Sequence, residues 1–185
     1  MNKLQIDDLI FEQLFSDEQI QRRIHRLAKD ISIDYVGQPA PIFIGVLNGA
    51  FMFLSDLLKW IPLECEVDFI QVSRYEDKMV SSDHPTLVKG ISRSVDGRDV
   101  IVVEDIVDNG HSALFIRNYL AAQQAKSIKF VSLLVSQCNT NLHPFPIDYV
   151  GFNLPTTAFV IGYGLDYKQR DRNLTSIYQL VKEKE

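Results

Sequence analysis

Three short segments constrain this chain more than any other part of it. Residues 41–47 (PIFIGVL) are apolar almost without interruption, 99–105 (DVIVVED) give the strongest strand signal in the chain, and 127–135 (SIKFVSLLV) read as a further strand. A strand with one wet face alternates apolar and polar residues, whereas an unbroken apolar run needs cover on both faces. Helical patterns supply that cover. After Ser16, a residue suited to an N-cap, Ile20, Ile24, Leu27 and Ile31 recur at helical spacing, and the spacing predicts a helix over 17–31 that Gly37-Gln38-Pro39 breaks. Residues 50–60 read as an apolar helix ended before Pro62, and Gly110 leads into another that runs to about residue 123. Residues 66–75, 147–152 and 159–163 read as further strands. Strands alternating with helices predict an α/β fold, a mostly parallel central sheet flanked by helices. In such sheets ligands bind outside the carboxyl ends of the strands, here 47–49, 104–112, 136–137 and 163–172.

At 185 residues the chain fits one domain, 1–185. No apolar run approaches the ~18–20 residues that span a bilayer, so no membrane partner is expected. The opening MNKLQIDDLIFEQLF has neither the basic start nor the apolar block of a signal peptide. Cys65 and Cys138 stand alone without C-x-x-C spacing, which favours a reducing, cytoplasmic setting over a disulfide scaffold or a zinc site. The net charge of −5 argues against a nucleic-acid partner. An anionic ligand would have to be met by local donors or by a metal. Residues 76–89 are polar and irregular, as a lid over a site would be.

The most informative segment is Val100 to Ser112. A buried strand runs into Glu104 and Asp105, a third acid follows at Asp108, and Asn109-Gly110-His111-Ser112 turns into a helix. Such a turn aims unpaired backbone N–H groups at one point, aided by the helix dipole and the Ser112 hydroxyl, and makes a phosphate cradle. The two adjacent acids could accept from vicinal hydroxyls or from metal-bound water. The same residues also read as a helix capped by Asp108 with solvated acids at a strand end. The segment alone leaves both readings open.

This segment resembles the phosphoribosyl-diphosphate (PRPP) motif of type I phosphoribosyltransferases. Residues 45–53 (GVLNGAFMF), 67–70 (VDFI), 148–152 (DYVGF) and 160–167 (VIGYGLDY) narrow the resemblance to hypoxanthine-guanine phosphoribosyltransferases, in order and over roughly residues 40–180. The resemblance implies the type I fold with a small hood and a mobile active-site loop at about 75–90. It implies transfer of phosphoribose from PRPP to a purine base, with Mg2+ as cofactor and a homodimer or homotetramer as the assembly. Glu104 and Asp105 match the acids that hold the ribose hydroxyls and help place magnesium. Asp108 matches the general base, and Asn109, Gly110, His111 and Ser112 match the 5′-phosphate loop, in which the backbone rather than the His111 ring does the binding. Leu47, Asn48 and Gly49 match the pyrophosphate loop, which the family often builds with a cis peptide. Asp166 matches a carboxylate near the base and a second magnesium, and Arg172 matches the guanidinium that grips pyrophosphate, with Arg170 as a rival two residues away. Phe159 matches the aromatic that stacks on the purine, although periodicity alone reads it as core, and Val160 would offer its backbone to the base edge.

Three positions depart from the family pattern. Asn48 stands where many members have lysine. Ser136-Gln137 stands where a lysine usually donates to the 6-oxo group of the purine, which opens the choice of base. Arg74-Tyr75 replaces the usual Ser-Tyr pair of the mobile loop, and Arg74 reads either as an added charge against pyrophosphate or as an edge-strand arginine. Two alternatives therefore stand beside hypoxanthine and guanine transfer. One is the same reaction with a shifted preference for xanthine, adenine or another base. The other is a non-catalytic regulator that binds PRPP or a nucleotide.

Overall fold

The computed structural model describes residues 2–74, 85–136, 145–154 and 158–183. In chain order the elements are β1 (Lys3–Ile6), β2 (Leu9–Phe15), α1 (Asp17–Tyr35), β3 (Ile42–Leu47), α2 (Phe51–Lys59), β4 (Glu66–Arg74), β5 (Pro85–Lys89), β6 (Asp99–Val107), α3 (His111–Ala122), β7 (Ser127–Ser136), β8 (Tyr149–Leu154), β9 (Val160–Ile161) and β10 (Ile177–Glu183). The larger sheet has the order β5-β4-β3-β6-β7-β8; every neighbouring pair is parallel except β5 with β4. A second, antiparallel sheet, β1-β2-β10-β9, forms a hood.

Alternation along β6 explains its apolar run from Val100 to Val103. Ile101 and Val103 point into a core shared with Ile24 and Leu27 of α1 and Phe53 and Leu57 of α2. Val100 and Val102 point the other way, into a core with Ala113, Ile116 and Leu120 of α3. Each such side chain contributes about 1.5–3 kcal/mol by leaving water, and a polar residue on either face would lose that. The mostly parallel sheet between helices is the architecture the sequence implies.

Ser16 caps α1 in a reciprocal box: its hydroxyl accepts the Gln19 N–H at 3.3 Å and Gln19 Oε1 accepts the Ser16 N–H at 2.9 Å. The helix runs one turn beyond residue 31, because Tyr35, one turn after Ile31, is also buried in the core. Four strands depart from the sequence expectation. β1, β2 and β10 form the hood, and β5 occupies the end of the stretch read as structureless and as a mobile loop. β5 is held to β4 by register pairs from Gln71↔Lys89 to Arg74↔Pro85 and by the Lys89 ammonium, which donates to the Phe69 carbonyl at 2.8 Å. Tyr75 and the rest of the expected loop to residue 84 lie outside the described residues, as does Gln137. The strand expected over 159–163 shrinks to Val160–Ile161, because Gly162, Tyr163 and Gly164 all take left-handed φ values and turn the chain.

Asp68 of β4 ties down the chain that leaves β5. It is 5% exposed, and its carboxylate accepts from the Phe69, Ser92 and Arg93 N–H groups and the Ser92 hydroxyl. Burial alone would raise its pKa, but these donors outweigh it and hold the group below its ordinary value. The stability it contributes is therefore complete above the unfolded-state pKa and is lost as pH falls through the depressed native one. Asp68→Ala is expected to cost about 2–4 kcal/mol in urea unfolding near pH 7, with a smaller difference from wild type as the medium is acidified towards pH 3. An Asp68→Ala protein as stable as wild type at pH 7 would remove this role.

Candidate active site

A cavity of about 660 Å³ opens at the carboxyl ends of β3, β6 and β7, beneath the hood. Three of the four strand-end regions singled out in the sequence meet in its described walls, and so does Ser136 of the fourth. Leu47, Asn48 and Gly49 come from the end of β3, Glu104 and Asp105 from β6, and Asp108, Gly110 and Ser112 from the turn that follows. Ser136 ends β7, and Phe159, Val160, Asp166 and Arg172 descend from the hood side.

The turn after β6 has the geometry of an anion cradle. Gly110 sits at the N-cap of α3 with φ 77°, a left-handed value that a β-carbon would strain. The N-cap position is held by Gly110, which has no side chain to offer the first-turn N–H groups. Asn109 Oδ1 accepts the His111 N–H at 3.1 Å and fixes the turn, while His111 stands outside the cavity wall. The first-turn N–H groups at Ser112 and Ala113 have no intrahelical acceptor, and both residues line the cavity.

The two acids of β6 differ. Glu104 is 4% exposed at the strand end. Enclosure by the cavity pushes the Asp105 carboxyl up to about 6, against the pull of the Ile106 and Asp105 N–H groups and the Arg172 charge, and the Asp166 charge adds to the rise. A β-carbon at Gly49 would overlap the Asp105 carboxylate, so only glycine lets this loop approach the acid. The Leu47–Asn48 peptide of the loop is cis.

Arg172 and Arg170 part company here. The Arg172 guanidinium donates to the Gly164 carbonyl and to Asp166 Oδ1, both at 2.7 Å, and lines the cavity. Arg170 instead reaches Asp7 in the β1–β2 turn at 2.9 Å. Asp166 also accepts the Gln169 N–H at 2.8 Å, so acid and guanidinium are held as a pair. Among the described residues no three acidic, histidine or cysteine side chains are grouped as a protein-only metal site. Asp105 and Asp166 nevertheless line the same cavity, and the Asp166 charge makes ionisation of Asp105 harder, a setting in which a cation carried by a polyanionic ligand would be welcome.

Phe159 is 44% exposed rather than core, its ring backed by Phe11 at 6.2 Å and edge-on to Tyr167 at 5.9 Å. Across from the hood, Ser136 is 3% exposed and its hydroxyl has no hydrogen-bond partner among the described residues. A buried hydroxyl left so is costly unless a ligand or water engages it. The backbone of Arg74 ends β4 opposite Pro85; Tyr75 falls outside the described residues. The sequence reading missed the apolar walls Val72, Ile106, Leu154 and Leu165. They carry no local signal, since each is an ordinary strand or turn aliphatic.

Arranged this way, the cavity can take a phosphate at the start of α3, vicinal hydroxyls on the acid pair, a second anionic group between Gly49 and Arg172, and a flat ring on Phe159. Known proteins resemble this chain in both sequence and fold. The profile of the phosphoribosyl transferase domain matches residues 11–168. The chain is 40% identical over 164 residues to the hypoxanthine-guanine phosphoribosyltransferase of Bacillus subtilis, covering 89% of each. It is 41% identical over 164 residues to the bifunctional protein TilS/HprT of Listeria monocytogenes, covering 89% of this chain but 25% of that one. The chain thus spans about a quarter of the length of the bifunctional relatives it matches. Among solved structures it is similar to a Trypanosoma cruzi hypoxanthine phosphoribosyltransferase variant complexed with the product IMP, with a TM-score of 0.86 and 33% identity over 97% of this chain and 95% of that one.

Proposed function

This chain belongs to the phosphoribosyl transferase domain family, and from that premise we propose that it transfers 5-phosphoribose from PRPP to hypoxanthine or guanine. The products are IMP or GMP and pyrophosphate, and the setting is purine salvage in the cytoplasm by a single domain spanning 1–185. The observation that carries the reading is the convergence, in one cavity, of an anion cradle at the start of α3, an acid pair, a second anion grip and an exposed aromatic face. In this mechanism Ser112 and the 110–113 amides hold the 5′-phosphate, and Glu104 and Asp105 hold the ribose hydroxyls. The Asn48–Gly49 loop and Arg172 hold the departing pyrophosphate, the latter by its fork of donors. The base stacks on Phe159 with its edge at Val160. Asp108 takes the proton from the attacking purine ring, and the surrounding carboxylates stabilise the positive charge that develops on the ribose. Glu104, Asp105 and Asp166 would hold Mg2+, which would neutralise the diphosphate. Tyr75 and the Arg74 side chain would belong to the loop that closes over the reaction. The chain is read as acting in a homodimer or homotetramer, which light scattering would test.

Ser136 supports a second reading, in which the same reaction has a broader or shifted choice of base. Ser136 lines the cavity, and its hydroxyl, without a partner among the described residues, can both donate and accept, so it does not favour a 6-oxo group as a lysine would. The non-catalytic alternative draws no such support, because a pure binder has no use for a carboxylate at position 108. A PRPP-dependent screen of hypoxanthine, guanine, xanthine, adenine and uracil tests the function itself. Slow turnover of the two oxopurines is expected, with weak rejection of the others. Ser136→Lys should raise kcat/KM for hypoxanthine by about 10- to 150-fold, the worth of a charged hydrogen bond, without a comparable gain for adenine. A lysine variant no better than wild type would mean that another donor reads the base, and absence of monophosphate with every base would reject the assignment.

A further inference from the structure

Away from the reacting groups, one part-buried hydrogen bond joins the two walls of the anion grip. Gly162, Tyr163 and Gly164 have φ values of 89°, 52° and 98°, and Tyr163 is the one residue of the three that pays a steric cost for the left-handed shape. A third glycine would relieve that strain, so the tyrosine side chain must be doing something glycine could not. It is 1% exposed, and its hydroxyl donates to Asp56 Oδ2 at 2.6 Å. Asp56 also accepts from Gln21 Nε2 and from Lys59 Nζ, each at 2.7 Å.

The two partners sit on elements that lead directly into the cavity. Asp56 belongs to α2, the helix into which the Asn48–Gly49 loop runs, and the loop and helix are joined by the Ala50 N–H donating to Val46 and the Leu54 N–H donating to Ala50. Tyr163 lies in the turn that presents Asp166 and Arg172, tied by the Gly164 N–H to the Arg172 carbonyl at 2.9 Å. Where the two meet there is no slack, since a β-carbon on Gly164 would overlap the Gly49 carbonyl oxygen. Burial favours a neutral Asp56, but its three donors outweigh burial and keep it below its ordinary pKa, while burial and Asp56 hold the Tyr163 phenol well above its own. The bond therefore keeps one protonation state throughout the working pH range.

We propose that Asp56 is a positioning residue which, through the Tyr163 hydroxyl, sets the gap between the Asn48–Gly49 loop and the Asp166–Arg172 pair. Resting on the function proposed above, this makes the Asp56–Tyr163 bond a determinant of affinity for the diphosphate group, not for the base. Tyr163→Phe removes the donor and keeps the ring; Asp56→Ala removes the acceptor; Asp56→Asn keeps an acceptor oxygen. Tyr163→Phe and Asp56→Ala should each raise KM for PRPP and weaken calorimetric binding of magnesium pyrophosphate by about 10-fold, the scale on which small misplacements act. KM for the base should move less than about 2-fold. Asp56→Asn should recover most of the loss, and the double variant should be no worse than either single one. Equal changes in both KM values, or a fall in thermal stability with neither KM changed, would overturn the proposal. If the protein proves inactive with every base, the amide spectrum decides separately. Tyr163→Phe should then shift the Gly49 and Gly164 resonances and leave the remote Gly97 in place, and an unmoved Gly49 would overturn the positioning role. Should Asp56→Ala fail to fold, Tyr163→Phe and Asp56→Asn still give the split between PRPP and base.

Discussion

Asp108→Asn is expected to lower turnover by about 10²–10⁴ while the affinity for PRPP changes little. Asp108 follows the end of β6 and lines the cavity two residues before the left-handed Gly110. Asparagine matches its size and keeps an acceptor oxygen but has no basic site, so the exchange removes proton transfer and leaves the cradle intact. Single-turnover formation of IMP with saturating PRPP separates chemistry from binding. If PRPP affinity collapsed and bound substrate still reacted at the wild-type rate, Asp108 would be a ligand for the sugar or the metal, and the base would have to be sought elsewhere in the cavity.

Removal of divalent cations should have an effect of comparable size, lowering activity by at least about 10³-fold, and return of magnesium should restore it. The protein carries a net charge of −5, and the described cavity offers Arg172 and backbone amides against a ligand with many phosphate oxygens. Asp105 and Asp166 add negative charge on the same side. Without a cation, these carboxylates would repel the group that Arg172 is placed to grip. The measurement is product formation after chelation and dialysis, at PRPP concentrations that saturate the untreated enzyme. Full turnover under those conditions would sink the charge argument and the assignment of the acids with it.

The parts of the fold legible in the sequence are those whose signal is local. β3, β6 and β7 announce themselves because both faces are buried, and α1 because Ser16 and the Ile20–Ile24–Leu27–Ile31 stripe agree. The hood is different. KLQI, LIFEQLF and IYQLVKE are short strands with mixed faces, and their pairing joins residues such as Phe15 and Ile177 that lie far apart in the chain. Nothing in either segment indicates the other. β5 was hidden for a second reason: as an edge strand with mostly exposed side chains it has no apolar pattern to show. In the site, the acids and the turn of 104–112 were readable because they are contiguous. Choosing Arg172 over Arg170 was not, since it depends on which side chain Asp7 captures. The fit of Gly49 against Asp105 and Gly164 is likewise a matter of backbone approach between distant segments, to which sequence spacing is blind.

The way the hood is closed has a consequence for the newly made protein. Its central pairing is between β2 and β10, and the Ser176 hydroxyl is bound by Gln13 and by the Asp17 N–H, across roughly 160 positions of chain. During synthesis the parallel strands and the 104–112 turn can assemble as they emerge, because their partners are near in sequence. Phe159 must wait, since its ring leans on Phe11 and its carbonyl accepts the Leu180 N–H at 2.9 Å. A chain still held by the ribosome short of residue 177 thus has a sugar-phosphate cradle before it has a seat for the base. The nascent protein should gain protection from proteolysis with PRPP alone at that stage, and respond to a purine only after β10 has been released.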